Sequence, residues 1–325
     1  MPPHAGRRQV PAPHAGRRPA AGSLSAVPDR LCLLTVHAHP DDEASKGAGT
    51  VARYHAEGVH TVLVCCTGGE EGDILNPAMD NPEVRAHLPE IRRQELDASA
   101  KIIGYDEVVL LGYRDSGMPG TDANARPDVF ANVPLDDAVA RLVTVVRRVR
   151  PHVIVTYPEE QRDYPHPDHL RVHEISAAAF EAAGDPERYP EAGSPWVPLK
   201  LYYTVWPRRR TLEMHEKFLE LGLESPFDDE RLERMRRDEP VTTSIDLTGF
   251  TGVRTDALRA HATQVDPASP YWFGLPDEVL RTIYPFDDYF LARSRVGRAG
   301  VVAVGGDSAV MNDVVREDDL FAGVR

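Results

Sequence analysis

Two short segments rich in histidine and aspartate contain the residues best suited to chemistry. The first, His39–Glu43 (HPDDE), directly follows an apolar run, Leu31–Ala38. The second, His166–His169 (HPDH), lies a few residues after another apolar run, Val153–Tyr157. Imidazoles and carboxylates are common ligands of divalent metal ions in hydrolases. Two such turns at the ends of two strands of one sheet therefore predict a metal site.

The metal hypothesis assigns a role to several residues of these turns. A hydrolytic metal ion needs about three protein ligands and an open position for water, and His39, Asp42 and His169 can supply them. Asp41 would point elsewhere and accept a proton from the water, whose pKa the ion lowers toward roughly 7. One Zn²⁺ per chain fits these ligands, with Fe²⁺ as the alternative.

The second turn adds candidates for stabilising the transition state. His166 and Tyr164 are placed to donate hydrogen bonds to the oxygen of a tetrahedral intermediate. Asp168 could orient His166, or it could cap the helix that follows, and the two roles are compatible.

Less specific interpretations of the same residues remain open at this point. Asp41 and Asp42 could serve only as N-caps of the helix that starts a few residues later. His173, one helical turn after His169, is a rival metal ligand. His37, inside the apolar run, is interpreted as a structural histidine.

The composition excludes several classes of function. The chain has 325 residues with 37 basic and 51 acidic side chains, and its formal net charge of -14 argues against binding of nucleic acid or of an anionic membrane surface. No apolar run approaches the roughly 18 residues that a membrane-spanning helix needs. The absence of a P-loop, of a G-x-G-x-x-G turn after the first strand and of a G-x-S-x-G elbow disfavours nucleotide, dinucleotide and serine-hydrolase functions. No oligomeric state is indicated.

The cysteines and the N-terminus indicate a cytoplasmic protein. Cys32, Cys65 and Cys66 all lie in apolar runs, which predicts buried free thiols and not a disulfide framework. The arginine pairs of the N-terminus are not followed by the apolar region of a secretion signal.

Apolar runs alternate with helical patterns along most of the chain. The alternation predicts an α/β, Rossmann-like fold, with a mostly parallel sheet, helices on both faces and a smaller C-terminal α/β portion. The predicted strands are Leu31–Ala38, His60–Cys66, Glu107–Leu111, His152–Tyr157, Lys200–Trp206 and Val241–Leu247. The predicted helices are Ala44–Glu57, Pro82–Ile103, Pro134–Arg150, Pro167–Ala183 and Gly252–Thr263, with a charged helical region at Arg208–Asp238.

Three regions are predicted from these patterns. Residues 1–28 contain a repeated Pro-His-Ala-Gly-Arg-Arg without apolar periodicity, which is typical of a disordered tail. Residues 29–297 are expected to form a single metal-dependent hydrolase domain. Residues 298–325 form a C-terminal extension whose structure the pattern leaves open.

The two turns resemble hallmarks of the PIG-L/LmbE-like superfamily of zinc-dependent N-deacetylases. A third hallmark, an L-R-A-H-x-x-Q-like stretch, is present as Leu258–Gln264, and the resemblance spans about residues 31–296. The resemblance implies the same ligands as the residue chemistry does. It also implies that Asp41 is the general base and that His166 stabilises the transition state.

Within the superfamily, the chain is most similar to the amidase branch that acts on S-conjugates of mycothiol. The stretches Ser45–Ala48, Thr67–Asp80 and Gly184–Pro190 carry this similarity. The resemblance implies cleavage of the cysteinyl amide, which releases glucosaminyl-inositol and an N-acetylcysteine S-conjugate for detoxification. The alternatives are the N-acetylglucosaminyl-inositol deacetylase of mycothiol biosynthesis and a related amidase in an antibiotic pathway.

A small-molecule sugar–thiol conjugate of this kind needs polar contacts around the metal. Glu70, Asp73 and Asp115 are available at strand ends to accept hydrogen bonds from the sugar hydroxyls. Arg85 or Lys46 could donate hydrogen bonds to the substrate. By the resemblance, Lys46 marks the amidase branch and would contact the cysteinyl half of the substrate.

Overall fold

Seven strands assemble into one mixed sheet. The computed structural model describes residues 30–159, 165–234, 240–296 and 316–325, and Leu31–Arg325 form one compact unit. The strands are β1 (Cys32–His37), β2 (His60–Thr67), β3 (Glu107–Tyr113), β4 (Val153–Thr156), β5 (Lys200–Val205), β6 (Thr243–Asp246) and β7 (Phe286–Ser294). Their order across the sheet is β3-β2-β1-β4-β5-β7-β6. The predicted tail, residues 1–28, lies outside the described residues.

Eleven α-helices within the described ranges connect and cover the strands. They are α1 (Asp42–Ser45), α2 (Ala48–Ala56), α3 (Pro82–Ala86), α4 (Leu88–Ile103), α5 (Leu135–Val149), α6 (Pro167–Ala182), α7 (Arg208–Glu220), α8 (Asp229–Arg234), α9 (Gly252–Ala260), α10 (Pro270–Phe273) and α11 (Asp277–Leu280). In this described part of the chain no helix has the length and apolarity needed to cross a membrane.

The sheet is mostly parallel, as predicted. The five strands β1 to β5 run in the same direction, whereas β7 runs antiparallel to both β5 and β6. The C-terminal portion therefore extends the same sheet by two strands. The sequence pattern did not predict β7, because Asp287 and Asp288 interrupt its apolar residues. Their carboxylates are satisfied inside the fold by hydrogen bonds from Thr50 and Ser244.

Helices cover both faces of the sheet, which is also as predicted. Side chains alternate across a strand, so that Leu34 packs in one buried cluster with Val143 of α5. The preceding residue, Leu33, packs in a second buried cluster on the opposite face with Val51 of α2 and Leu258 of α9. Because both faces of β1 are buried, its sequence is a continuous apolar run and not an alternating one.

The helix predicted over Ala44–Glu57 is divided into α1 and α2. Gly47 lies between them with a φ of 98°, a left-handed conformation that glycine adopts without strain. A Cβ atom at this position would lie 2.9 Å from the hydroxyl of Tyr289. The break turns the chain immediately after the first His/Asp segment, and any other residue would be strained and crowded there.

The strand order brings the two His/Asp turns to one place. Strand β1 pairs with β2 on one side and with β4 on the other. The chain thus changes direction across the sheet between β1 and β4, and such a switch point opens a crevice at the carboxyl ends of the two strands. The segment His39–Glu43 follows β1 directly, and His166–His169 follows β4.

The last ten residues pack against the edge region of the sheet. Glu317 pairs with Thr243 in a short parallel bridge. Its buried carboxylate accepts hydrogen bonds from the Lys200 ammonium at 2.9 and 3.1 Å and from the Tyr202 hydroxyl at 2.5 Å. Leu320 and Phe321 are fully buried beside them. The described part of the C-terminal extension is therefore an integral part of the fold.

We expect Glu317→Ala to destabilise the protein strongly. The substitution leaves the buried Lys200 ammonium without its counter-charge, a change that typically costs about 3–5 kcal/mol of unfolding free energy. Urea unfolding of the variant and the wild type measures the loss. Asp97→Ala is the control, because it removes an exposed ion pair with Arg93 that is worth about 1 kcal/mol or less. Equal losses in the two variants would contradict the role assigned to Glu317.

Candidate metal centre

The three predicted ligands meet in a buried cluster. His39 and Asp42 come from the turn after β1, and His169 comes from the first turn of α6. One ligand atom from each lies within 4.8 Å of the other two. The Asp42 carboxylate accepts a hydrogen bond from the His39 amide at 3.0 Å and lies 3.3 Å from Nε2 of His169. Two imidazoles and one carboxylate are a donor set that fits the predicted zinc ion.

Carboxylates surround the His39 imidazole. Its Nε2 lies 3.2 Å from Asp168 and 3.6 Å from Asp115, while its Nδ1 lies 3.5 Å from Asp42. Burial alone would lower the pKa of His39, but these three carboxylates outweigh it and raise the pKa well above its usual value. The cluster thus carries an excess of negative charge, which favours a bound cation.

Asp42 is held as a charged carboxylate. Burial would raise its pKa, but the ammonium of Lys46 and the imidazole of His169 hold it well below its usual range. A charged carboxylate is the form that binds a metal ion. Because it bonds to the His39 amide, Asp42 does not serve only as a helix cap.

Asp41 has a different environment from its neighbour. It occupies the N-cap position of α1, yet its side chain makes no capping hydrogen bond. Its carboxylate accepts instead from the guanidinium of Arg92 at 3.2 Å. Burial and the charge of Asp42 raise the pKa of Asp41, while Arg92 opposes them. The interpretation of Asp41 as a cap is therefore wrong for its side chain.

His166 is positioned as a neutral hydrogen-bond donor. Its Nδ1 accepts from the backbone N–H of Asp168 at 3.2 Å and caps α6. This bond assigns the ring hydrogen to Nε2, which lies 4.0 Å from Asp115. Burial and the nearby charge of His39 lower the pKa of His166 to about 4.

The Asp168 carboxylate is held by Ser116, a partner that the sequence did not predict. The carboxylate accepts from the backbone N–H of Ser116 at 3.0 Å and from the Ser116 hydroxyl. It also lies 3.2 Å from the His39 ring. The prediction that Asp168 caps α6 is wrong, because His166 holds that position. A bond from the Asp168 carboxylate to the His166 ring stays a prediction, although both side chains belong to one group of four potential ligands with His39 and Asp115.

Two other candidates are not part of the cluster as the structure describes it. His173 lies in neither group of potential ligands among the described residues. Its Nδ1 lies 3.0 Å from the carbonyl oxygen of Tyr157, and its ring packs on Tyr203. Tyr164 lies outside the described residues.

The predicted substrate-binding residues divide into two sets. The Lys46 ammonium pairs with Asp42 and lies 5.4 Å from the centre of the Tyr157 ring. Glu70 accepts a hydrogen bond from the Asp115 amide at 3.0 Å, next to the cluster. Asp73 is exposed on the loop after β2, and Arg85 is exposed in α3 and pairs with Asp80. The structure brings Lys46, Glu70 and Asp115 to the site, and it shows Asp73 and Arg85 as exposed side chains.

Three residues of the site were not predicted from the sequence. Arg92 is buried and donates to the Pro40 carbonyl at 2.7 Å as well as to Asp41. Ser116 holds Asp168, and the Tyr157 hydroxyl accepts from the Ala38 amide at 3.2 Å. The position of Ser116 directly after Asp115 was an available signal. Arg92 gave none, because an arginine in an amphipathic helical pattern is usually on the surface.

Comparisons with known proteins identify relatives of this chain. Residues 34–180 match the family described as PIG-L: GlcNAc-PI de-N-acetylase. The chain is 42% identical over 306 residues to the mycothiol S-conjugate amidase of Streptomyces coelicolor, covering 91% of this chain and 98% of the relative. It is 39% identical over 314 residues to the 1D-myo-inositol 2-acetamido-2-deoxy-alpha-D-glucopyranoside deacetylase of Streptomyces avermitilis, covering 93% and 99%.

A solved structure shows the same fold. The N,N'-diacetylchitobiose deacetylase from Pyrococcus horikoshii aligns with a TM-score of 0.56 at 17% identity, covering 81% of this chain and 84% of that protein.

The chain belongs to the PIG-L family. It is a hydrolase that acts on a C–N amide bond, and its described residues include a His/Asp group that could hold a metal ion. Among its relatives, those named as amidase and those named as deacetylase match over nearly the whole chain.

We expect His37 to make the stability of the metal-free protein depend on pH. Burial lowers the pKa of His37 from 6.5 to about 4, although Asp42 and Glu43 oppose the shift. Between these pH values the unfolded chain binds a proton at His37 that the folded protein does not. The contribution of His37 to the free energy of unfolding is therefore fully present above pH 6.5 and falls as the pH drops toward 4. The loss at the lower limit is about 3 kcal/mol.

Urea unfolding at a series of pH values, with and without His37→Asn, measures this contribution. The difference in unfolding free energy between variant and wild type should change by that amount across the window. A difference that stays constant with pH would contradict the prediction.

Proposed function

We propose that this chain is a zinc-dependent amidase that cleaves the cysteinyl amide of mycothiol S-conjugates. The products are glucosaminyl-inositol and an N-acetylcysteine S-conjugate, and the reaction serves detoxification in the cytoplasm. The observation that carries the choice of an amidase is the position of Lys46 at the edge of the metal cluster. The similarity to the Streptomyces coelicolor amidase over 91% of the chain supports it.

In this proposal His39, Asp42 and His169 hold one zinc ion per chain, with Fe²⁺ as the alternative metal. The bound ion supplies Lewis-acid chemistry, because it lowers the pKa of a water molecule and polarises the amide carbonyl.

The residues around the cluster then divide the work of hydrolysis. Asp41 accepts the proton of the attacking water, since its carboxylate is next to the ligands and carries a raised pKa. The Nε2–H of His166 donates to the carbonyl oxygen as negative charge develops on it. Asp168 keeps its place through Ser116, and Tyr164 is a further donor in this proposal.

Polar groups near the cluster are assigned to the sugar and inositol hydroxyls. Asp115 and Glu70 are hydrogen-bonded to one another through the Asp115 amide, which gives these acceptors a fixed position. Asp73, on the loop after β2, and Arg85, in α3, are assigned to the outer part of the same substrate.

Lys46 distinguishes the amidase from the deacetylase in this proposal. Its side chain is 30% exposed although its ammonium lies on the buried Asp42 carboxylate. It can therefore reach a substrate group at the cluster without losing contact with the site. A cysteinyl acyl group offers polar atoms to an ammonium, whereas an acetyl group has only a methyl group in the same position.

The second candidate is the deacetylase that removes acetate from N-acetylglucosaminyl-inositol. The deacetylase of Streptomyces avermitilis, which matches 93% of this chain, supports it. The same metal, base and donor would perform that reaction. A related amidase of an antibiotic pathway would differ only in its thiol conjugate.

We expect His169→Ala to lose most of its zinc, because a ligand is removed from a three-ligand set. His173→Ala is the matched control on the same helix, and it should keep about one zinc per chain. Metal analysis of both purified variants after dialysis against zinc measures the difference. Loss of metal from the His173 variant alone would overturn the ligand assignment.

We expect Lys46→Ala to lower kcat/KM for a mycothiol S-conjugate about tenfold or more, since one charge-assisted hydrogen bond is lost. Hydrolysis of N-acetylglucosaminyl-inositol should change by less than about twofold. Both substrates are assayed with the wild type, with Lys46→Ala and with Lys101→Ala, an exposed lysine of α4 that serves as control.

The wild type should also prefer the mycothiol conjugate. A preference for N-acetylglucosaminyl-inositol would favour the deacetylase instead. Equal losses on both substrates in the Lys46 variant would show that this lysine supports the site generally and does not select the acyl group.

A further inference from the structure

The histidine of the C-terminal stretch Leu258–Gln264 has no role in the proposed reaction so far. His261 follows α9 and is completely buried. It belongs to neither group of potential metal ligands in the described chain. Its Nε2 lies 2.6 Å from a carboxylate oxygen of Glu43, which is also completely buried. Each of these two buried groups depends on the other as its hydrogen-bond partner, because an isolated buried charge is strongly unfavourable.

Glu43 connects three separate parts of the chain. Its Oε1 accepts from His261 and from the hydroxyl of Ser99 in α4, at 2.6 and 2.5 Å. Its other oxygen, Oε2, accepts from the backbone N–H of Asp41 at 2.9 Å. The carboxylate is thus held by two elements on one side, and on the other it holds the backbone of the proposed general base.

The backbone of Asp41 needs such support. Its φ is 114°, a conformation that is unfavourable for any residue with a Cβ atom. A backbone of this kind costs about 1–3 kcal/mol and persists only where the surroundings hold it. The turn directs the Asp41 side chain to Arg92 and the Asp42 side chain to the cluster, so that the two adjacent carboxylates have different environments.

We propose that His261 and Glu43 are positioning residues for Asp41. His261 and Ser99 fix the Glu43 carboxylate, and Glu43 fixes the Asp41 amide in its strained conformation. The Asp41 carboxylate is thereby kept at the distance and angle at which it accepts a proton. This inference rests on the proposed role of Asp41 as the base.

A merely structural pair would act on stability and leave the base unaffected. Thr263 provides the comparison, since it lies two residues after His261 and donates to the buried carboxylate of Glu95 at 2.7 and 2.8 Å. It belongs to the same segment and is equally buried, but its partner does not contact Asp41 in any hydrogen bond of the described structure. Thr263→Val is therefore the matched control.

The test is a double-mutant cycle with zinc-loaded full-length protein and a mycothiol S-conjugate as substrate. The four proteins are the wild type, His261→Asn, Asp41→Asn and the double variant. Asparagine is too short to reach Glu43, whereas the glutamine of His261→Gln can place its amide N–H where Nε2 lies. Zinc content and the thermal midpoint are measured for each protein alongside kcat and KM.

We expect His261→Asn to lower kcat about tenfold to a hundredfold, the effect of a small displacement of a catalytic group. KM should stay within about twofold and zinc content should be unchanged. His261→Gln should recover most of the lost kcat, and Thr263→Val should keep the wild-type kcat. In the Asp41→Asn background, His261→Asn should have less than about a twofold effect, because the base that it positions is already absent.

The inference is overturned if His261→Asn lowers kcat by the same factor in both backgrounds, or if Thr263→Val lowers it equally. If His261→Asn does not fold, Ser99→Ala replaces it, since it removes the other donor to the same oxygen and should show the same dependence on Asp41. Near-normal turnover of Asp41→Asn would overturn the proposed base instead. A loss of roughly two to four orders of magnitude in that variant, with additive effects of His261, would overturn the positioning role alone.

Discussion

The concentration of negative charge at the carboxyl end of β1 is the constraint on which the rest of the structure depends. Three consecutive acidic residues, Asp41, Asp42 and Glu43, occupy one turn, and two of them are buried. Each has its own cationic or hydrogen-bonding partner from a different part of the chain. These partners are Arg92 of α4, Lys46 after α1 and His261 after α9. Helices α4 and α9 are therefore connected to the turn Asp41–Glu43, called the acidic turn below, by charged contacts as well as by apolar packing.

The sheet order determines which further acids join this turn. Because β4 lies beside β1, the turn after β4 places His169 and Asp168 against His39. Asp115, which follows β3, reaches the same ring through the loop that Ser116 fixes on Asp168. The excess of negative charge comes from the ends of three strands, so no single helix or strand compensates it. A bound cation would compensate it, and this is the physical reason for expecting a metal ion there.

The sequence was sufficient for the central strands and for the two His/Asp turns, because their apolar runs and chemistry-bearing residues are local. It was insufficient where a role depends on distant partners. Arg92 resembles a surface arginine in its helix, yet it is buried and donates to the Pro40 and Gly69 carbonyls and to Asp41. Strand β7 was missed because Asp287 and Asp288 are satisfied by other elements. Asp168 was one candidate for the helix cap because aspartate is a common capping residue, yet the imidazole of His166 has that role.

The three cationic partners of the acidic turn are not equivalent, and their differences explain the separate roles proposed for Asp41, Asp42 and Glu43. Arg92 is 3% exposed and His261 is fully buried, so neither side chain has an exposed surface toward solvent comparable to that of Lys46. Lys46 is more exposed, and its partner Asp42 is a proposed metal ligand. A divalent ion would share that carboxylate and weaken its hold on the ammonium, because two positive charges compete for one negative charge. In the proposed reaction Lys46 is thus the cation of this turn that contacts the substrate, while Arg92 and His261 hold the base in place.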